Sequence, residues 1–84
     1  MVFVLQIKPK ARKNLDKIPE NYRVRIIVAL NAIVLDPFSG KKLFGKRKDQ
    51  YSLHVWPYRI IYIIKKTELI VLVIDVGHRQ GIYK

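Results

Sequence analysis

The sequence contains no cysteine, so neither a disulfide staple nor a thiolate-held metal is available to it. That fits a reducing interior. Acidic residues are scarce: six, against 17 lysines and arginines. With only two histidines beside those acids, and no recognised ligand spacing among them, no metal centre is expected. No apolar run approaches the roughly 20 residues that a membrane helix needs. The opening MVFVLQIKPK lacks the basic start and small-residue cleavage site of a signal peptide. Dinucleotide and Walker fingerprints are missing too. GKKLFGKRK (40–48) places two glycines in a basic loop, but without P-loop spacing or a Lys-Ser/Thr ending. These absences leave a cytoplasmic protein with no membrane contact, no cofactor and no metal as the expectation.

What is present is positive charge. The 84 residues bound a single domain, 1–84, and carry a net +11. Such a charge costs self-repulsion and invites a polyanionic partner. Nucleic acid or a ribonucleoprotein fits best; a solubilising surface or an acidic protein partner fits the same number. Lys41, Lys42, Lys46, Arg47 and Lys48 concentrate five charges in eight positions. They suit either a solvated loop or a contact to an RNA backbone, which would be salt-sensitive and indifferent to base sequence.

The rest of the chain reads as alternating order. VFVLQI (2–7) is β-branched and aromatic, hence a strand. KARKNLDKI (10–18) spaces Ala11, Leu15 and Ile18 four and three apart, which predicts a helix, and Pro19 ends it. Residues 20–37 are rich in Ile and Val, yet Tyr22, Ile26, Leu30, Ile33 and Val34 form a helical stripe. Alternation fails there, so a helix is expected, with Glu20 favourable near its N-terminus and Asp36-Pro37 closing it. YSLHV (51–55) alternates, with Tyr51, Leu53 and Val55 on one face and Ser52 and His54 on the other. Trp56-Pro57 turns the chain. YRIIYII (58–64) and LIVLVIDV (69–76) flank the polar KKTE and predict a hairpin. The order is β-α-α-β-β-β, an α+β fold with two helices on one face of a largely antiparallel sheet. Ser52 and His54 are expected to project from the opposite, partly open face.

His54, Arg59, Arg79 and Tyr83 fall at strand ends near the lysine-rich loop, and His78 lies beside Arg79. That set matches metal-independent RNA cleavage. Histidine moves protons near neutral pH. Arginine grips phosphate through two parallel hydrogen bonds and keeps its charge. Tyrosine stacks on a base or donates to phosphate. Simple phosphate binding would use the same groups, and Pro57 leaves the distance from His54 to Arg59 open. Trp56 is either a base platform or a packing residue.

Nearly the whole chain resembles the RelE/ParE family of toxins from bacterial and archaeal toxin–antitoxin pairs. The likeness runs through KARKNLDKIP, LDP, KKLFGK, YSLHVWPYRIIYII and VLVIDVGHRQGIY, and the last two stretches are the specific ones. The resemblance to the RelE branch implies an endoribonuclease that cleaves mRNA in the ribosomal A site. It maps the family's catalytic arginine onto Arg59, its post-strand arginine onto Arg79 and its C-terminal tyrosine onto Tyr83. Two positions that are often basic map onto Ser52 and His54. His54 is then the general base toward the 2′-OH, supported by Lys42 or Lys46. Arg59 stabilises the phosphate, Arg79 completes the clamp, and Tyr83 orients the nucleotide. Ser52 departs from the pattern, because it has no charge to offer. A cognate antitoxin is implied as partner alongside ribosome and mRNA, with operator DNA met only through the antitoxin complex. A ParE-like inhibitor of DNA gyrase, or a catalytically weak binding relative, is the alternative.

Overall fold

Apolar spacing accounts for both helices. In a computed structural model that describes residues 2–47 and 49–78, α1 spans Pro9–Asp16 and α2 spans Glu20–Ile33. Pro9 sits in the first turn of α1, where its missing N–H would have had no helical partner anyway. Ala11 and Leu15 are buried from α1, Ile18 from the link, and Ile26, Leu30 and Ile33 from α2. Each stripe therefore points into the core as its spacing predicts. The two helices lie against one face of the sheet, where Val55, Ile60, Tyr62, Val71, Val73 and Val76 meet them.

The sheet has five strands, one more than the sequence suggested. They are β1 (Val4–Ile7), β2 (Lys41–Lys42), β3 (Gln50–Val55), β4 (Tyr58–Lys65) and β5 (Ile70–His78), arranged β1-β5-β4-β3-β2. β1 runs parallel to β5, and the other three pairings are antiparallel. The added strand is β2, a two-residue segment in the stretch read as a basic loop. Nothing in KK favours a strand locally, so its cause is tertiary.

Tyr62 supplies that cause. Its side chain is fully buried, and its hydroxyl donates a 2.6 Å hydrogen bond to the carbonyl of Pro37. Pro37 opens a short 3-10 turn, Pro37–Ser39, that leads directly into Gly40 and β2. Gly40 packs against the same hydroxyl, and a Cβ there would collide with it. A small residue is thus required where the loop crosses Tyr62, and the crossing delivers Lys41 to the edge of β3. Burial pushes the Tyr62 phenol up to about 12, and a hydrogen bond from the Gly40 backbone offsets part of that effect.

The expectation for Ser52 needs correction. It lies on the face away from the helices, as alternation requires, but it is only 4 % exposed. Its partner on β4, Ile61, is fully buried. Among the described residues, Ser52 and Ile61 in the middle of this face are covered, whereas His54 at its rim is exposed. Among the described residues no helix is long and apolar enough to cross a membrane.

Two outcomes follow from the Tyr62 anchor. Tyr62→Phe leaves a buried carbonyl without its donor and is expected to cost about 1–3 kcal/mol in denaturant unfolding. The raised phenol favours the folded state below pH 10, its ordinary value, and that contribution is lost as pH rises from 10 through about 12. The wild type is expected to lose its stability advantage over Tyr62→Phe across that window, measured as the difference between their unfolding midpoints.

Candidate functional site

The site is built by the register of β3 on β4. Val55 pairs with Tyr58 across the two-residue turn Trp56-Pro57, which sets His54 directly opposite Arg59. Arg59 in turn faces Gly77 on β5. Directly paired residues in a sheet share a face, with Cβ atoms roughly 4.5–5.5 Å apart. His54, Arg59 and Gly77 thus form one cross-strand row on the side away from the helices. The row ends in a glycine, which places no side chain beside Arg59 at that position. Arg59 is half-buried, with its Nε out of solvent, whereas His54 is exposed. A partly desolvated guanidinium beside an exposed imidazole offers a fixed cation next to a mobile proton acceptor.

A carboxylate nearby is steered off this face. Asp75 pairs in register with Ile61, next to a register shift in the β4–β5 ladder at Ile61/Tyr62. Its Oδ1 accepts from Asn14 Nδ2 of α1 at 3.2 Å and from its own neighbour, the Val76 amide, at 2.9 Å. The negative charge is therefore held on the α1 side, where it does not compete with an anion for Arg59. Alternation in LIVLVIDV gives no sign of this, because the irregularity is a property of the ladder.

The lysine cluster is divided between the faces. Lys41 pairs with Ser52 and joins the face of His54 and Arg59. Lys42 pairs with Tyr51 on the helix side, where it borders a cavity of about 200 Å³ with Phe38, Asp49, Ile64 and Lys66. Lys41 thus shares the face of His54, and Lys42 lies on the other. Lys46 is exposed in a 3-10 turn spanning Gly45–Arg47, which also includes the backbone of Arg47. Lys48, Arg79 and Tyr83 lie outside the described residues.

His78 pairs with Tyr58, and its ring meets that tyrosine edge-on at 6.0 Å, on the helix side of the sheet. Trp56 is exposed and meets His54 edge-on at 5.9 Å. Together with His54 it also borders a groove of about 450 Å³ between β3 and α2, lined on the helix by Val24, Arg25, Val28 and Ala32. Residues that the sequence reading passed over are Tyr62 and Gly40, which carry Lys41 into place. The available signal was a tyrosine inside an apolar strand, which must find a partner for its hydroxyl.

The fold has counterparts in known proteins. A family model described as the ParE toxin of the type II toxin–antitoxin system parDE matches residues 5–83. Among curated proteins, none matches in sequence. The toxin–antitoxin complex RelBE2 of Mycobacterium tuberculosis superposes with a TM-score of 0.86 at 23% identity, covering 94% of this chain and 100% of that one. A mutant of Escherichia coli RelE in the free state gives 0.83 at 22%, covering 99% and 90%. The archaeal RelE–RelB complex from Pyrococcus horikoshii gives 0.81 at 20%, covering 96% and 99%. With a family model spanning almost its entire length and this fold beneath it, the chain belongs to the RelE/ParE family of toxins from type II toxin–antitoxin systems.

Proposed function

We propose that this toxin is a ribosome-dependent endoribonuclease that cleaves mRNA in the A site without a metal. The observation that carries the reading is the direct pairing of His54 with Arg59 on one face of the sheet. Proton acceptor and phosphate-binding cation are fixed to adjacent strands, so their spacing is a property of the ladder and not of a loop. Such preorganisation is what a transition state with developing charge requires.

In this reading the imidazole of His54 takes the proton of a ribose 2′-OH. The 2′ oxygen attacks the adjacent phosphorus, and the bond from phosphorus to the 5′ oxygen breaks. The leaving 5′ oxygen takes a proton from solvent water as the bond breaks, and the products are a 2′,3′-cyclic phosphate and a 5′-hydroxyl end. Arg59 holds the non-bridging oxygens as negative charge builds on them. Arg79, by the family resemblance, completes the clamp and steadies the leaving oxygen by hydrogen bonding. It does not release a proton itself, because a guanidinium stays charged in proteins. Tyr83 orients the nucleotide in the same scheme. The ribosome enters through the resemblance to the RelE branch, and the surplus positive charge suits a ribosomal surface.

An antitoxin is the second partner. Two of the similar structures are toxin–antitoxin complexes. Along the groove beside β3, α2 leaves Val24 and Val28 exposed one turn apart, with Leu35 beyond the helix end, and Val28 is 63 % accessible. A basic chain with an apolar strip suits an acidic segment that covers it. The competing reading, inhibition of DNA gyrase, is favoured by the ParE description of the matching family model.

In a reconstituted translation system the wild type is expected to break mRNA at A-site codons while leaving gyrase supercoiling intact. His54→Ala is expected to slow single-turnover cleavage by about 10²–10⁴-fold, the usual worth of a general base. Arg59→Ala is expected to lose a comparable or larger factor. Unbroken mRNA together with arrested supercoiling would transfer the proposal to gyrase.

A further inference from the structure

The charge missing at Ser52 has a replacement one strand away. Ser52 is buried, and a lysine ammonium at that depth would lose its hydration. Its partner across the β2–β3 ladder is Lys41, which is exposed at the sheet rim. The two share a face, with Cβ atoms about 5 Å apart, and the diagonal step from Lys41 to His54 is about 7–8 Å. A lysine stem of four carbons covers most of that distance, so the ammonium reaches the space above the His54–Arg59 row while staying in water.

We propose that Lys41 is a substrate-contacting residue of this toxin, its ammonium binding the same RNA phosphate that Arg59 holds. It supplies from β2 the positive charge that Ser52 does not supply from β3. The placement is specific. Tyr62 and Gly40 set the path of the loop, and the two-residue strand then points Lys41 to the site and Lys42 to the opposite face. The neighbouring lysines therefore form a natural control, with the same charge and the same loop on opposite sides of the sheet.

This inference rests on the reading of the His54–Arg59 row as a phosphodiester site, and its test separates the two. Single-turnover cleavage of A-site mRNA is measured for Lys41→Ala, Lys41→Arg and Lys42→Ala. In parallel, affinity is measured for a short 2′-O-methylated oligoribonucleotide, which binds but has no 2′-OH to react. Lys41→Ala is expected to lower both cleavage and affinity about 10- to 100-fold, the range of one charge-assisted hydrogen bond. Lys41→Arg is expected to recover most of the loss, and Lys42→Ala to stay within about threefold of wild type, as for a screened surface charge. Equal losses for Lys41→Ala and Lys42→Ala would overturn the proposal by reducing Lys41 to bulk charge. Lys41-dependent binding without mRNA cleavage by the wild type would retain the phosphate contact and remove the nuclease. Wild-type protein that neither binds the oligoribonucleotide nor cleaves A-site mRNA would overturn both.

Discussion

Everything proposed for this toxin depends on the register between β3 and β4. Because side chains alternate with a period of two, a slip of one residue would move His54 and Arg59 to the helix side and expel Leu53 and Ile60 into solvent. The burial of Ile60, Tyr62 and Val55 against the helices is what forbids that slip. Each fully buried aliphatic side chain contributes on the order of 1.5–3 kcal/mol. The apolar pattern of one face thus positions the polar groups of the other, and the site inherits the rigidity of the core without being part of it.

A second level of control acts on charge. Seventeen basic residues cannot all serve one phosphate, and the fold sorts them. The Tyr62 hydroxyl fixes the loop after α2, and the loop separates Lys41 from Lys42 across the sheet. The hydrogen bonds to Asp75 tie its carboxylate to α1 and to its own strand. What remains above β3 and β4 is a small electropositive rim beside the covered pair Ser52 and Ile61.

Much of the architecture was legible from residue spacing. Ala11, Leu15 and Ile18 and then Ile26, Leu30 and Ile33 are buried as their helical intervals require. The hairpin turn at Trp56-Pro57 and the face of His54 were legible as well, because both follow from local alternation. Three things were not. β2 forms through contacts with Tyr62 some 20 residues away, and no property of Lys41-Lys42 announces a strand. The burial of Ser52 depends on what covers the sheet face, and alternation specifies side without specifying cover. The orientation of Asp75 arises at an irregularity in the β4–β5 ladder, which exists only once the strands are paired. Local pattern fixed which residues share a side; long-range contacts decided which of them meet.

The central claim is chemical: a 2′-OH on the A-site nucleotide attacks its own phosphate under the hands of His54 and Arg59. The most direct measurement replaces that single hydroxyl by hydrogen in an mRNA programmed on the ribosome and follows the fate of the strand. The account predicts a break with a 2′,3′-cyclic phosphate end on the all-ribose message and no break at the 2′-deoxy position. Cleavage that proceeds equally well at the deoxy position would contradict it.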